Sequence, residues 1–302
     1  MAVKGNPMQM QQLDRYREEL KSRIAAAFHG ENLISTRVGQ LSFFYTTMPT
    51  NRLATIYEPS ICVIVQGSKE VGVDEDLIPY DPEMYLLASV HMPAHVRITQ
   101  ASEARPYMGL TITFSMEQIF EVLKEVGRSS SVSKSPKRGL YFGKMQQRLL
   151  DPITRLVRLL DTPEDIPVLA PLITKEILYN VMRDEGGDFV RQYIMDGSAT
   201  QRVVKAITKI KDEFREALHV KELAHFVGMS ESSLYANFKK ITGMSPLQFQ
   251  KSLRLQEARR LLMSQDIEAA QVAFEVGYES PSQFSREYAR MFGLPPKADT
   301  RL

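Results

Sequence analysis

Apolar and polar positions follow two different periods along this chain. Over residues 8–28, apolar side chains recur every three or four positions, which predicts an amphipathic helix. From about residue 33 to residue 114, short apolar runs are divided by proline and glycine, which is typical of strands joined by turns. The predicted strands cover residues 41–45, 61–65, 84–90, 95–99 and 108–114. Strands at this density predict a β sandwich or a small barrel.

The run Ile61–Val65 has no polar alternation, so we expect it to be a central strand covered on both faces.

Helical spacing returns after the strands. The segments predicted beyond the strands are a basic, serine-rich connector (127–139), helices at about 145–160 and 168–183, a helix end with two glycines (184–188), a link (189–199) and a helix at about 201–216.

The last third of the chain contains one pattern twice. Ala224 and Gly228 correspond to Ala273 and Gly277, an offset of 49 residues. Beyond the turn the offset becomes 50, in the pairs Leu234 and Phe284, Phe238 and Tyr288, Gly243 and Gly293, and Pro246 and Pro296. The second copy therefore has one more residue in its turn. A fixed internal period is a strong sign of a repeated structural unit.

Each copy predicts two helices joined by a tight turn. Gly228 follows the last apolar residue of one helix, where a left-handed backbone ends it, and Ser230 is placed to cap the next helix. In the second copy Ser280 is the cap and Pro281 takes the first helical position. Such pairs are the helix-turn-helix signature, whose second helix fits the major groove of DNA. The motifs are predicted at about 220–241 and about 267–292.

These segments resemble the DNA-binding domain of the AraC/XylS family of bacterial transcription regulators. The matching words cover roughly the last 100 residues: Gly228-Met-Ser, Ser233-Leu, Phe238-Lys, Gly243-Met-Ser-Pro, Arg254-Leu-Gln-Glu-Ala, Leu261-Leu, Ala273-Phe-Glu-Val-Gly-Tyr and Ser282-Gln-Phe-Ser-Arg. The resemblance implies a sequence-specific regulator, more often an activator, that acts with RNA polymerase. Its two recognition helices would enter successive major grooves about 34 Å apart.

The matched positions also imply which residues touch DNA. The expected base-reading residues are Ser232, Ser233, Tyr235 and Ala236 in the first copy, and Ser282, Gln283 and Arg286 in the second. Gln pairs well with adenine and Arg with guanine. The expected phosphate contacts are Lys239, Lys240, Arg254 and Arg260.

The strand-rich region has a resemblance of its own. Its segments Pro59–Gly67, Tyr80-Asp, Tyr85-Leu, Ser89-Val and 101–107 resemble the N-terminal domain of one AraC-family branch, which is similar to a cupin. We therefore expect an α+β chain of two domains. Residues 1–197 would hold a cupin-like effector barrel (about 33–114) with flanking helices (about 116–196), and residues 198–302 an all-α domain with two helix-turn-helix motifs.

The expected barrel predicts a pocket for a small-molecule effector. Its candidate residues are Cys62, His91, His95, Arg105 and Tyr107. Cys62 is either a reactive sensor or an inert core thiol, and burial favours the inert reading. The two histidines raise a metal-dependent cupin enzyme as an alternative, but the usual cupin string of two histidines and a glutamate is missing, so we expect neither a metal, a cofactor nor an enzyme. Arg105 and Tyr107 could meet an anionic effector or form a salt bridge at the rim.

Composition agrees with this division. The chain of 302 residues has a net charge of +2, but residues 198–302 carry 16 Lys and Arg against 12 Asp and Glu. The modest basic excess thus falls on the repeat domain, as DNA binding requires. One cysteine excludes an internal disulfide, and no apolar run predicts a membrane span or a signal peptide, so we expect a cytoplasmic protein. Homodimerisation through helices at about 145–183 and an effector-blind regulator both stay open.

Overall fold

The structure is a computed structural model of the chain. It describes residues 7–30, 32–73, 76–126, 139–183, 185–194, 198–264 and 267–299. The predicted connector 127–139 lies outside the described residues, apart from Gly139. Among the described helices, none has the length and apolar character needed to cross a bilayer.

The first half of the described chain is built mainly from strands. They are β1 (Leu33–Ser35), β2 (Leu41–Thr46), β3 (Leu53–Tyr57), β4 (Ser60–Gln66), β5 (Ser68–Val73), β6 (Asp76–Tyr80), β7 (Met84–Ala88), β8 (Met92–Gln100), β9 (Tyr107–Thr113) and β10 (Leu140–Lys144). They pair antiparallel in two sheets, a larger one in the order β1-β2-β9-β4-β7-β10 and a smaller one in the order β3-β8-β5-β6.

The cupin-like barrel expected of this region is not closed. Among the described strands none belongs to both sheets, so the strand-rich domain is two stacked sheets with an open edge. Side chains of β4, β7 and β9 pack between the sheets against those of β5, β6 and β8. Sequence periodicity identifies strands but not whether the last pairing closes, because edge pairing depends on bend and shear. Register shifts beside Gln66 and Ser68 mark bends near the point where the chain crosses between sheets.

β4 is the centre of the larger sheet, as its unbroken apolar run predicts. It pairs with β9 on one side and β7 on the other. Ile61 and Val63 face the helical layer, while Cys62 and Ile64 face the second sheet, and all four are buried. Two covered faces leave no position for a polar residue, which explains the lack of alternation.

Helices cover the outer face of the larger sheet. They are α1 (Pro7–Ala27), α2 (Met116–Val126), α3 (Gln147–Arg158), α4 (Ile166–Met182) and α5 (Glu185–Ile194). The segment expected to link to the helical region, 189–199, is in large part helical, because α5 extends to Ile194. Gly186 and Gly187 permit this helix to begin close to the end of α4: a Cβ at Gly187 would lie 2.0 Å from the Met182 carbonyl oxygen. The glycines permit close packing between α4 and α5, whereas the sequence analysis interpreted them only as the end of a helix.

The C-terminal region is helical and contains the repeat. Its helices are α6 (Ala199–Asp212), α7 (Val220–Phe226), α8 (Glu231–Thr242), α9 (Pro246–Ser264), α10 (Ala269–Glu275), α11 (Pro281–Phe292) and α12 (Pro296–Asp299). We call α7 with α8 the first copy and α10 with α11 the second copy. The caps repeat as predicted: Ser230 accepts from the Ser233 amide and Ser280 from the Gln283 amide.

The two halves of the chain are in contact. The apolar core of the β domain continues through α4 and α5 into α6 and the first copy. β3 also contacts α9 and α11. Beside β3, Glu58 lies 3.3 Å from the Lys211 amine of α6 and 3.7 Å from His91 Nε2. The end of β3 is therefore a junction between the sheets and the helical region.

Candidate nucleic-acid interface and internal cavity

The first copy exposes one side of α8. Leu234 and Phe238 are fully buried, which fixes the rotation of the helix and turns Ser232, Tyr235 and Ala236 toward solvent. Ser233 is half-buried and its carbonyl and hydroxyl oxygens both accept from the Asn237 amide, at 2.8 and 3.3 Å. The exposed side of α8 is therefore shallow and nearly uncharged along its first two turns.

The second copy exposes the equivalent side of α11, with longer side chains. Phe284 and Tyr288 are buried, and Ser282, Gln283 and Arg286 are exposed. The Gln283 amide donates to Glu287 at 3.3 Å. Glu287 also lies 2.8 Å from the Lys251 amine and accepts from the Tyr278 hydroxyl at 2.8 Å. Gln283 is thus held in position by its neighbours on the protein.

Glu287 belongs to this surface although sequence reasoning did not select it, and its partner Lys251 lies on the basic side of α9. Burial alone would raise the pKa of Glu287, but hydrogen bonds from Lys251 and Tyr278 lower it, so the carboxylate stays charged. On a helix that faces DNA, a carboxylate would repel phosphate and accept a hydrogen bond from cytosine. The sequence signal that could have identified Glu287 is its position one turn beyond Gln283 on the same face of α11.

The expected phosphate contacts divide into two groups. Lys239 and Lys240 are exposed at the end of α8, and Arg260 is exposed on α9 with an ion pair to Glu257 at 2.7 Å. Arg254 differs: its guanidinium donates to the carbonyls of Phe214, Arg215 and Glu216, at 2.7 to 3.0 Å. These carbonyls follow α6, so Arg254 fastens the chain after α6 to α9.

Burial agrees with the structural role of Arg254, since it lowers the pKa of the guanidinium. Gln250, one turn earlier on α9, donates to two of the same carbonyls. The sequence supplied a positive charge on an amphipathic helix. It gave no indication that unpaired carbonyls would lie opposite that charge.

A cavity of about 260 Å³ lies between the two sheets of the β domain. Two of the predicted effector residues, Cys62 and Tyr107, line it. Cys62 is buried and accepts a long hydrogen bond from the Thr111 hydroxyl at 3.4 Å. The remaining walls are mostly aromatic and branched aliphatic side chains from both sheets.

The other three predicted effector residues do not line this cavity. Arg105 is exposed on the turn before β9, and His91 lines the cleft between the β domain and α6, beside Glu58. His95 of β8 pairs across the sheet with Ala54 and does not line the cavity. In the part of the chain that is described, no three His, Cys, Asp or Glu side chains are grouped as a metal ion requires. The two histidines are close in the sequence, but His91 precedes β8 and His95 lies within it, so their side chains have different neighbours.

The cavity contains a lysine that the sequence analysis did not select. The Lys69 amine lies 5.7 Å from the Tyr57 ring centroid, 5.5 Å from that of Tyr80 and 5.9 Å from that of Tyr107. Such distances are those of cation–π contacts. Lys69 shares the inward face of β5 with the fully buried Val71, two residues on. The alternation of inward and outward residues along β5 would therefore have identified Lys69, but Gly72 and the charged residues of the strand obscure that alternation.

A β domain with an internal cavity, joined to two capped helix pairs with exposed polar faces, is the architecture of a two-domain transcription regulator. Residues 37–189 match the family model described as the AraC-type transcriptional regulator N-terminus, and residues 223–301 match a helix-turn-helix domain model. Because the first match alone covers half of the chain, the chain belongs to the AraC family of transcription regulators.

Curated relatives match part of the chain. The regulator ArgR of Pseudomonas aeruginosa is 29% identical over 133 residues, which are 43% of this chain and 40% of that protein. The activator RhaS of Escherichia fergusonii is 30% identical over 102 residues, or 34% of this chain and 37% of that protein. The chain thus spans about two fifths of the length of these relatives.

A solved structure matches nearly the whole fold. ToxT of Vibrio cholerae strain SCE256, with a bound unsaturated fatty acid, superposes with a TM-score of 0.59 over 85% of this chain and 94% of that chain, at 13% identity. This likeness is one of fold: strand-rich domain first, helical domain second.

Proposed function

We propose that this protein is a sequence-specific DNA-binding transcription regulator whose DNA contacts respond to a small molecule in the β domain. The observation that carries the proposal is the repeat: two helices, α8 and α11, are capped in the same way and expose equivalent polar faces. A scaffold that fixes two such helices provides one reader for each of two major grooves.

The two helices are proposed to read DNA differently. On α11, Arg286 pairs with guanine and Gln283 with adenine, each contributing about 1–3 kcal/mol of discrimination against a wrong base. On α8 the short side chains of Ser232 and Ala236 leave room for water, and Tyr235 meets a thymine methyl or a backbone sugar. Lys239, Lys240 and Arg260 supply the attraction to phosphate that does not depend on sequence. Arg254 is left out of this group because its Nε and Nη2 donors bond to backbone carbonyls.

Regulation is proposed to pass through the end of β3. This strand lines the cavity through Thr55 and Tyr57 and contacts α9 and α11 on the other side. Glu58 follows directly and is held by Lys211 of α6. A ligand can change DNA binding only if it has different affinities for two arrangements of these parts. β3 is the segment that touches both the ligand cavity and a recognition helix.

The cavity favours this function over an effector-blind regulator. A domain without a ligand fills its interior with side chains to crystal-like density, whereas this one keeps about 260 Å³ open beside a charged amine. The ligand-bound ToxT structure, a likeness in fold, supports a small-molecule effector. The metal-dependent cupin enzyme is not favoured, since its histidines are not brought together.

A homodimer through α4 completes the proposal. Val168, Leu172 and Tyr179 are 66%, 61% and 44% exposed on this helix, at the spacing of one helical face. An apolar stripe of this kind suits a symmetric helix pair. Leu172→Glu is expected to give monomers in sedimentation experiments, while the exposed polar change Lys144→Glu leaves the dimer intact. RNA polymerase is the proposed partner for activation.

The direct test is a titration of the full chain against DNA fragments from the neighbourhood of its own gene at several salt concentrations. The proposal predicts tight binding to one fragment and weak, strongly salt-dependent binding to the others. Equal binding to every fragment, with or without small molecules, would remove the sequence-specific part of the proposal.

A further inference from the structure

The Lys69 amine is the one charged group among the side chains that line the cavity. Around it stand aromatic rings and aliphatic walls, including Ile64, Val96 and Ile98. The next residue, Glu70, faces the other way and pairs with Arg97 at 2.7 Å. The strand therefore sends its carboxylate to the surface and its amine inward.

Within the described chain, no carboxylate faces this amine. The groups that act on Lys69 are Tyr107, Tyr57 and Cys62. Burial raises the pKa of Tyr57, Tyr80 and Tyr107. Burial works against a charged Lys69, whereas the neighbouring Tyr107 and Tyr57 favour it and raise the pKa of the amine. The amine thus lies in a mostly apolar cavity among tyrosine rings, on a side chain that keeps part of its surface exposed.

Even a partly buried charge without an opposite charge is costly. The rings of Tyr57, Tyr80 and Tyr107 offset part of this cost through their electron-rich faces. An ammonium group has three donors, and the neighbouring hydroxyls of Tyr57 and Tyr107 serve at most two of them. A bound anion would supply both the opposite charge and a partner for the remaining ammonium donor.

We propose that the cavity is a binding site for a small apolar monocarboxylate, with Lys69 pairing its carboxylate and the walls of the two sheets taking its hydrocarbon body. This inference rests on the proposed function, since it names the chemical class of the effector. The hydroxyls of Tyr57 and Tyr107 lie where they can donate to the carboxylate oxygens. A single charge suits the site, because each further charge would have to be desolvated against apolar walls.

The size of the cavity limits the ligand. About 260 Å³ is below the usual range of drug-sized sites, about 300–1,000 Å³. At about 30 Å³ for each water-sized atom it holds about nine non-hydrogen atoms. Octanoate, with about ten, is close to this size, whereas palmitate, with about eighteen, is too large for the cavity.

The test measures binding to the full-length protein by calorimetry. Octanoate is compared with octanamide, which has the same length and no charge, and with palmitate. Lys69→Met removes the charge and keeps an unbranched side chain, and Lys69→Arg keeps the charge. Lys124→Met, an exposed lysine of α2, is the matched control. Circular dichroism and thermal melting check that each variant is folded.

We expect octanoate to bind once per chain, and octanamide at least about tenfold more weakly, as loss of a charge-assisted contact requires. Lys69→Met should lose at least about tenfold in octanoate affinity while Lys69→Arg and Lys124→Met retain it. Equal binding of octanoate and octanamide to the natural protein, or equal octanoate binding by Lys69→Met, would overturn the proposal. So would tighter binding of palmitate than of octanoate. If Lys69→Met does not fold, the comparison of octanoate with octanamide and palmitate decides.

DNA binding is measured on the same samples and separates the two proposals. Octanoate that binds through Lys69 and leaves DNA affinity unchanged supports the site and contradicts the ligand response in the proposed function. Specific DNA binding that responds to other small molecules, in a protein that ignores octanoate, retains the proposed function and overturns this site.

Discussion

The two copies of the helix pair are alike in their local structure and different in what surrounds them. Leu234 and Phe238 of the first copy belong to a core that continues through α6 into the β domain. Phe284 and Tyr288 of the second belong to a separate, smaller core with the second half of α9. The same sequence pattern thus builds one helix pair as an extension of the regulatory domain and another as a small unit of its own.

The second copy compensates for its smaller core with polar contacts. Asp299 of α12 is buried and accepts from the Tyr288 hydroxyl at 2.7 Å and from the Arg259 guanidinium at 2.8 Å. In the described part of the first copy the nearest counterpart is a single bond from Arg202 to the Gly228 carbonyl. The comparison shows that the repeated sequence pattern determines the shape of each helix pair, while the elements packed around each pair determine its stability.

The turn glycines offer the sharpest way to break the comparison. Gly228 and Gly277 are equivalent and both have positive φ, but a Cβ at Gly228 meets open space and one at Gly277 would lie 2.2 Å from the Arg215 carbonyl oxygen. Gly228→Ala should cost about 1–2 kcal/mol for the left-handed backbone alone. Gly277→Ala should cost about 3–5 kcal/mol, because the clash is added. Urea unfolding measures both, and equal losses would contradict the difference in surroundings.

Asp299→Asn tests the polar contacts that join α12 to the second copy and to α9. It leaves the guanidinium of Arg259, which is 27% exposed, without a charge partner. We expect a loss of about 2–3 kcal/mol, below the range for a fully buried pair because solvent screens part of it. The control Lys209→Gln breaks the exposed pair with Glu213 and should cost under about 1 kcal/mol. Thermal unfolding measures both variants.

Arg254→Ala and Lys240→Ala distinguish a structural cation from a DNA cation. Arg254→Ala removes three bonds to carbonyls and should destabilise the fold by about 1.5–3 kcal/mol with little change in the salt dependence of DNA binding. Lys240→Ala should leave the melting temperature unchanged and reduce the slope of log affinity against log salt by about one. A reduced slope for Arg254→Ala would restore it to the phosphate contacts.

Arg286→Ala sharpens the proposed division of labour between the recognition helices. It should lose about 1–3 kcal/mol of preference at one base pair and leave all other positions of the site unchanged. Ser232→Ala on α8 should change preference by much less, since a short hydroxyl reads through water. Binding to a set of single-base variants of the site measures both, and uniform weakening by Arg286→Ala would remove it from the base readers.

The smallest effect is expected at the junction that ties the first copy's scaffold to the β domain. The nearby His91, whose Nε2 lies 3.7 Å from the carboxylate, lowers the pKa of Glu58 from its ordinary 4.5 to about 2, and Lys211 adds to this. Because the folded pKa is lowered, the stabilisation is present above pH 4.5 and fades as the pH falls toward 2. Glu58→Gln should cost about 1 kcal/mol or less at pH 7, since the side chain is half exposed, and nothing at pH 2. Unfolding across pH gives the difference.

Sequence reasoning found what is encoded locally. The repeat, its serine caps and the central strand Ile61–Val65 all follow from spacing and side-chain type. The closure of the β domain, the helix at Glu185–Ile194 and the role of Arg254 do not, because each depends on a partner distant in the chain. Lys69 is intermediate: its strand position was readable, but its three tyrosine neighbours come from β3, β6 and β9 and meet only in the fold.

Hydroxyl-radical footprinting of the full-length protein on its binding fragment, beside Gly277→Ala, tests the central claim that each copy reads its own groove. We expect two protected patches on one side of the duplex, about 34 Å or one helical turn apart, with Gly277→Ala losing one patch and keeping the other. A single patch for the natural protein, or the simultaneous loss of both patches in the variant, would contradict two independent readers in one chain.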